Sequence, residues 1–85
     1  MPEGRIHNRV RRLRFEHGEM TQHRLAELAG CTRQTIGALE KGRYVPSLAL
    51  AFRIARTFGL GVEDVFEYED PREPESGTPG EEAPV

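Results

Sequence analysis

This 85-residue sequence has one cysteine, no tryptophan and no long apolar run, and these features exclude several classes of protein. Cys31 is the only cysteine, which excludes a disulfide within the chain and a zinc site built from several cysteines, and which indicates a reducing compartment. No apolar run approaches the roughly 18 residues of a membrane-spanning helix. Residues 1–14 are basic but lack the apolar stretch of a secretory signal. We therefore expect a small cytoplasmic domain without a membrane segment.

Charge is distributed unevenly along the chain, although the net charge is only −2. Residues 1–60 contain 11 Lys and Arg against 5 Asp and Glu, a net charge of +6. Residues 61–85 contain 1 Arg against 9 Asp and Glu, a net charge of −8. The basic body attracts phosphate, whereas the acidic end repels it. A run of arginines near the N-terminus is open to two interpretations, a solvated helix face or a direct phosphate contact: Arg9, Arg11, Arg12 and Arg14.

The acidic end has the composition of a disordered segment. From Glu69 onward the chain is rich in Pro, Glu and Gly and has few apolar residues, so it cannot bury enough surface to offset the entropy lost on ordering. We predict one folded domain over residues 1–68, followed by a disordered acidic tail over residues 69–85.

Turn residues divide the body into five short segments with the apolar spacing of helices, and no segment alternates cleanly as a strand does. Glycines follow the first four segments, and Thr21, Thr32 and Ser47 are good N-caps for the second, third and fourth. The predicted fold class is therefore all-α. The predicted helices cover residues 7–17, the segment between Thr21 and Gly30, the segment between Thr32 and Gly42, the segment from Pro46 to Gly59, and residues 62–66.

The apolar residues of these helices predict one shared core. A folded body of about 60 residues buries only about 60% of its unfolded surface, so its stability is modest unless it dimerises. The residues expected to face inward are Val10 and Leu13 on the first helix, Leu25, Leu28 and Ala29 on the second, Ile36 and Leu39 on the third, Leu48, Ala51, Ile54, Ala55 and Phe58 on the fourth, and Val65 and Phe66 on the fifth.

Three residues at a fixed spacing predict a helix-turn-helix motif. Ala26 lies mid-face on the second helix, where a small side chain lets the third helix approach closely. Gly30 follows four residues later in the turn, where a positive φ is expected, and Ile36 lies six residues beyond it, buried against the second helix. A turn of about three or four residues between two such helices is typical of the motif.

Around this motif the sequence resembles the Cro/C1 (Xre) family of bacterial and phage DNA-binding regulators. The resemblance rests on the elements TQ, LAELAG, TRQTI, LEKGRYVPSL and VEDVF, which occur in the family's order, and it extends from about Asn8 to Phe66. It implies a lambda-repressor-like domain of five helices, with the third helix in the major groove of double-stranded DNA. It also implies a homodimeric, nucleoid-associated transcriptional regulator, specifically a repressor, without a cofactor.

The resemblance further implies which residues contact DNA. Arg33 and Gln34, on the first turn of the third helix, suit base reading, because arginine can read guanine and glutamine can read adenine in bidentate fashion. Ala38, one turn further, offers an apolar contact only. Gln22, at the start of the second helix, contacts backbone phosphate or supports the third helix. The full implied set is Gln22, Arg33, Gln34, Thr35, Ala38, Lys41 and Arg43, of which the last two hold phosphate.

The same resemblance pairs Arg14, near the end of the first helix, with Glu40, at the end of the third. This buried ion pair would fix the third helix against the first. The sequence departs from the family at Gly37, where relatives often carry a polar residue such as Asn. Glycine within a helix costs about 1 kcal/mol relative to alanine, and here it also removes a base or phosphate contact.

Catalytic and metal chemistry find little support in the sequence. The three histidines lack the spacing of a metal site, and no nucleophile accompanies a base. Glu63 and Asp64 are adjacent, so they point to different faces of a helix. We predict neither an enzyme nor a metal site.

Two functions from different classes follow from the sequence. The leading hypothesis is a homodimer that binds duplex DNA, with a dimer surface around the fifth helix that includes Val65, Phe66 and Tyr68. The alternative is a protein-interaction module, such as an antitoxin that holds its toxin. In that alternative the acidic tail recruits a basic protein partner or folds back over the basic face.

Overall fold

The computed structural model describes residues 4–71, and these residues form five helices and a two-stranded antiparallel sheet. The prediction of five helices is confirmed, whereas the prediction of an all-α fold is wrong because two strands close the domain. Within the described residues, no helix is long and apolar enough to cross a membrane. The elements in chain order are β1 (Arg5–Asn8), α1 (Val10–Glu16), α2 (Gln22–Ala29), α3 (Arg33–Glu40), α4 (Leu48–Thr57), α5 (Val62–Val65) and β2 (Phe66–Glu69).

The sheet joins the beginning of the domain to its end. β1 pairs antiparallel with β2, so that Arg5 lies opposite Glu69 and Asn8 opposite Phe66. Each strand has only four residues, RIHN and FEYE, and alternation over four residues is too brief to identify a strand. Two predicted helix boundaries are wrong for this reason: His7 lies in β1 rather than in α1, and Phe66 begins β2 rather than ending α5.

The strand β2 extends to the residue at which the acidic tail was predicted to begin. The Glu69 carboxylate Oε1 lies 2.8 Å from His7 Nε2 across the sheet. This hydrogen bond, with the charge of His7 as a smaller cause, lowers the pKa of Glu69. Residues 72–85, which make up most of the predicted tail, lie outside the described residues.

Side-chain caps set where three of the helices begin. Thr21, Thr32 and Ser47 each accept a hydrogen bond from the backbone N–H three residues later, at 2.9 to 3.1 Å. Each cap satisfies an N–H group that has no partner within its helix, a contribution of about 1 kcal/mol. These three predicted caps are confirmed.

Every helix contributes to a single core, but two of the residues predicted to face inward are exposed. Leu28 is 44% exposed, because at 3.6 residues per turn it falls about 100° from the centre of the buried face of α2. Leu48, the first residue of α4, is 70% exposed, and Leu50 faces inward instead. Val65 is fully buried, as the core prediction expects, so it cannot also belong to the dimer surface predicted around α5, in which Tyr68 is 55% exposed. The core consists of Val10, Leu13, Leu25, Ala26, Ala29, Ile36, Leu39, Leu50, Ile54, Ala55, Phe58 and Val65.

Candidate nucleic-acid interface

The connection between α2 and α3 has the geometry predicted for a helix-turn-helix motif. Gly30 follows the end of α2 with a φ of +78°, which only glycine adopts without strain. The N–H groups of Gly30 and Cys31 both donate to the carbonyl of Ala26, at 2.8 and 3.0 Å. After this three-residue turn, α3 begins at Arg33. These two hydrogen bonds close the end of α2, and α3 then packs against α2.

Arg53, on α4, holds the end of α2 in place, and sequence reasoning missed it. Its guanidinium Nε donates to the carbonyl of Ala29 at 2.7 Å. That carbonyl belongs to the last turn of α2 and has no partner within the helix. Nothing in the sequence near Arg53 marks this role, because the two residues are 24 positions apart.

Cys31 lies in the turn, half-buried against the core. Burial raises the pKa of its thiol, and the nearby charge of Arg53 offsets only part of that rise. A thiol that stays protonated is a poor nucleophile and a poor metal ligand. Within residues 4–71, no three His, Cys, Asp or Glu side chains gather into a set that could hold a metal ion.

The first turn of α3 presents polar side chains to solvent. Arg33 and Gln34 are exposed, whereas Thr35 and Ala38 are half-buried. The Thr35 hydroxyl lies 2.9 Å from the hydroxyl of Thr32, so the N-cap engages one side of Thr35. The structure therefore leaves both long side chains of the implied base-reading set exposed on the first turn of α3.

The end of α3 places two cations on either side of a glycine. Gly42 has a φ of +75°, and its N–H donates to the carbonyl of Leu39 at 3.0 Å. The N–H of Arg43 donates to the carbonyl of Ala38 at 2.9 Å, which completes a Schellman motif. Lys41 and Arg43 are both exposed, and neither forms an ion pair with any other described residue. Their charges are therefore not neutralised within this part of the chain.

Arg14 and Glu40 form the ion pair that the resemblance implies. Arg14 Nε donates to Glu40 Oε2 at 2.6 Å, and Arg14 Nη2 donates to Oε1 at 3.1 Å. Arg14 Nη1 also donates to the carbonyl of Met20 at 2.7 Å. The two charged side chains are only 15% and 6% exposed. Removing one partner leaves the other charge without its counter-ion, a loss of about 3–5 kcal/mol for a fully buried pair and less here, since Met20 and Gln22 still bond to Arg14 and Glu40.

Gln22 connects this ion pair to the exposed turn of α3. Its Nε2 donates to Glu40 Oε1 at 3.0 Å, and its Oε1 accepts from Arg33 Nη1 at 3.3 Å. In this structure Gln22 therefore supports α3. Sequence reasoning missed the contact with Glu40, because no local pattern marks a hydrogen bond between residues 18 positions apart.

Asn8 is a second supporting residue that sequence reasoning missed. Its Nδ2 donates to the carbonyl of Leu39, near the end of α3, at 2.9 Å. Its Oδ1 accepts from the N–H of Val10 at 3.1 Å. Asn8 therefore fastens the junction of β1 and α1 to the last turn of α3.

Three of the four arginines near the N-terminus contact a carboxylate within the domain. Arg9 and Arg12 each reach a carboxylate, at 3.5 and 3.1 Å, and Arg14 is in the buried pair. Arg11 is exposed and forms no ion pair with the other described residues. Structural pairing thus accounts for three of the four arginines and leaves the charge of Arg11 without a partner in residues 4–71.

Known proteins are similar to this domain in sequence and in fold. A family model described as helix-turn-helix matches residues 11–65. The chain is 52% identical over 63 residues to an uncharacterized HTH-type transcriptional regulator of Methanocaldococcus jannaschii, with 74% of this chain and 94% of that protein covered. It is 49% identical over 63 residues to YgzD of Bacillus subtilis, which has the same description and the same coverage. The solved transcriptional regulator VanUg matches with a TM-score of 0.62 over 82% of this chain and 92% of that chain, and its 20% identity shows a shared fold.

Proposed function

This chain belongs to the Cro/C1-type helix-turn-helix family, and from that premise we propose that it is a transcriptional regulator that binds duplex DNA in a sequence-specific manner. The family is not a family of enzymes. One observation carries the proposal: the first turn of α3 is an exposed polar surface, supported from behind by a buried ion pair and followed by two unpaired cations. That arrangement suits insertion into the major groove with phosphates on either side.

Each residue of this surface has a role in the proposal. Arg33 reads guanine O6 and N7, and Gln34 reads adenine N6 and N7. The Ala38 methyl group offers an apolar contact to a thymine methyl group, and Thr35 completes the surface. Gln22 and the N–H groups at the start of α2 face backbone phosphate, and Lys41 and Arg43 hold phosphate beyond the end of α3.

Selection of bound duplexes from a random DNA pool tests the proposal. The salt concentration is held near the physiological value, because affinity for duplex DNA falls steeply with salt. We expect enrichment of a palindrome whose half-sites lie about 10 base pairs apart, one turn of the double helix. No enrichment by a protein shown to be folded would refute sequence-specific binding.

Substitutions separate base reading from phosphate binding. We expect Arg33→Ala to relax the sequence preference at one base pair of each half-site, with a loss of discrimination of about 1–3 kcal/mol. We expect Lys41→Ala to weaken binding to all duplexes alike and to flatten the salt dependence by about one unit. Titrations of matched and mismatched duplexes at several salt concentrations measure both effects.

Arg12→Ala is the matched control for both substitutions. It removes the same charge from an exposed helix position where the arginine is already paired with Glu16. We expect Arg12→Ala to have at most a small effect on affinity, equal for all duplexes. If Arg33→Ala also lowered the affinity for every duplex equally, the placement of α3 in the major groove would be wrong.

The proposed regulator acts as a homodimer through an exposed apolar face at α4 rather than through the surface predicted around α5. Leu48 and Phe52 lie four residues apart on α4, so they share one face of that helix, and both are exposed. Val45, just before α4, is 65% exposed. An apolar face of this kind on a small charged domain suits burial against a second copy, whereas Val65 is already buried in the core.

We expect Leu48→Glu to shift the protein from dimer to monomer and to abolish cooperative binding to the two half-sites. A glutamate at this position favours folding, because Leu48 is the first residue of α4 and the helix dipole stabilises negative charge there. Sedimentation equilibrium measures the change. Phe15→Glu is the control, because Phe15 is equally exposed but lies on α1. A dimer that survives Leu48→Glu would exclude this face.

Repression is the proposed regulatory outcome, since a dimer bound across two half-sites excludes other proteins from the same DNA. A reporter gene with the selected site placed over its promoter tests this point. We expect lower expression when the protein is present, and higher expression would show activation instead.

A further inference from the structure

We propose that Glu40 is a positioning residue for base reading, which fixes the guanidinium of Arg33 by setting the orientation of the Gln22 amide. The inference rests on the proposed function and adds a residue that does not itself touch DNA. The Glu40 side chain is 6% exposed and lies at the far end of α3 from Arg33. Any influence of Glu40 on sequence preference therefore has to pass through another side chain.

The carboxylate of Glu40 determines which end of the Gln22 amide faces it. Glu40 Oε2 is occupied by Arg14 Nε, and Oε1 accepts from both Arg14 Nη2 and Gln22 Nε2. A carboxylate only accepts hydrogen bonds, so the amide must turn its NH₂ group toward Glu40. The amide oxygen of Gln22 is then directed away from Glu40.

That amide oxygen is what Arg33 requires. A guanidinium has five N–H donors and no acceptor, so it bonds to the oxygen of an amide and not to its NH₂ group. Gln22 Oε1 accepts from Arg33 Nη1 at 3.3 Å. With the amide reversed, two sets of donors would face each other at Arg33 and two acceptors would face each other at Glu40. The negative charge of Glu40 thus holds an acceptor in place for Arg33.

Fixing Arg33 in this way favours base reading. The side chain is exposed, and without a partner it would sample many rotamers in the protein before DNA binds. Holding a long side chain in its binding geometry lowers the entropy lost on association. One N–H group is used by Gln22, and the remaining donors of the guanidinium are left for guanine O6 and N7.

Gly37 leaves the space in which Gln22 lies. A Cβ atom at this position would be 3.8 Å from Gln22 Nε2 and 3.9 Å from Gln22 Oε1, so the amide passes directly over the glycine. A side chain longer than alanine would occupy the path of the amide. The glycine that departs from the family pattern therefore has a physical role on the same surface.

Three variants test the proposal: Glu40→Gln, Gln22→Met and the double variant. The base pair read by Arg33 is first identified with Arg33→Ala. The measured quantity is the ratio of affinities for the selected duplex and for the duplex changed at that base pair. We expect each single variant to lower this ratio by about three- to tenfold, a part of the discrimination of a bidentate contact. Because the two residues act in series, the double variant should lose no more than either single variant.

A second readout does not depend on DNA. The 15N order parameter of Arg33 Nε in the unbound protein reports how firmly the guanidinium is held. We expect this order parameter to fall in both single variants. Gln22→Met retains the Arg14–Glu40 pair, so it tests the proposal even if Glu40→Gln does not fold. Ile54→Val, a core substitution on α4, is the control for lost stability and should leave both readouts unchanged.

The outcomes separate this proposal from the proposed function. An unchanged affinity ratio together with an unchanged Arg33 order parameter would overturn the positioning role, and so would additive losses in the double variant. A uniform loss of affinity in Gln22→Met, without a change in the ratio, would overturn it in favour of a phosphate contact alone. Absence of any sequence preference in the parent protein would refute the proposed function, and the order parameter would then decide the positioning role independently.

Discussion

Gly37 shows how a single residue on α3 balances helix stability against access for a neighbour. Glycine in the interior of a helix is destabilising, because its backbone loses more conformational freedom than that of alanine. The position is half-buried, and the side chain of Gln22 crosses it. A Cβ atom alone would make ordinary van der Waals contacts there, so the space is needed only against longer side chains.

We expect Gly37→Ala to raise the free energy of unfolding by about 1 kcal/mol, through the higher helix propensity of alanine. Urea denaturation measures the change. The matched control is Gly42→Ala, which should destabilise the protein because Gly42 has a φ of +75° that alanine adopts only with strain. Equal effects of the two substitutions would contradict this explanation.

The two short strands act on α3 although neither contacts DNA in the proposal. β1 ends at Asn8, which donates to the carbonyl of Leu39 in the last turn of α3. β2 pairs with β1 along its whole length, so the end of the domain holds Asn8 in place. The contact between His7 and Glu69 lies across this sheet.

We expect the stabilising effect of Glu69 to depend on pH. Its pKa is lowered in the folded protein from an ordinary value of 4.5, so the ionised carboxylate favours the folded state. The stabilisation is present above pH 4.5 and is lost as the pH falls through the lower folded-state pKa. The difference in Tm between the parent and Glu69→Gln should therefore shrink as the pH falls from 6 to 3. In a His7→Ala background the substitution should have little effect, and a difference that persisted there would contradict the assigned cause.

At the scale of the whole molecule, opposite charges are separated along the chain. Cations without an ion pair among the described residues lie at and after α3, whereas Glu67 and Glu69 of β2 lie within 4 Å of Arg9 and His7. Residues 72–85 add 4 Glu against 1 Arg, a net charge of −3. The chain therefore contains a segment that repels the phosphates its basic surface attracts.

We expect deletion of residues 72–85 to tighten DNA binding and to reduce its sequence selectivity. The net charge changes from −2 to +1, and an acidic competitor for the basic surface is removed. Cutting after Pro71 retains the pairing of Glu69 with Arg5, which a deletion from Glu69 would destroy. Dissociation constants for selected and random duplexes at one salt concentration measure the effect.

A full-length variant with the four glutamates of residues 72–85 replaced by glutamine is the control, and it should reproduce the deletion. Unchanged DNA binding in both variants would contradict the idea that the acidic residues compete with DNA for the basic surface. If a basic protein partner of the parent were also lost, the result would favour recruitment through the tail.

Features that depend on neighbours along the chain could be predicted from the amino-acid sequence. Helical spacing predicts five helices, hydroxyl side chains predict the caps at Thr21, Thr32 and Ser47, and a glycine at residue 30 predicts the turn. These features follow from backbone geometry within a few residues, so a linear pattern is enough to identify them. The Arg14–Glu40 pair came from the family resemblance rather than from any local rule.

Contacts between groups far apart in the sequence became evident from the folded structure alone. Two four-residue strands pair because the ends of the domain come together, and the contacts of Gln22, Asn8 and Arg53 join elements far apart in sequence. The exposure of apolar side chains also depends on contacts between elements. Val65 is buried whereas Leu48 is exposed, although both fit an apolar helix face. Whether an apolar or polar side chain is covered depends on the elements that pack against it, and that information is not contained in the spacing of residues along one helix.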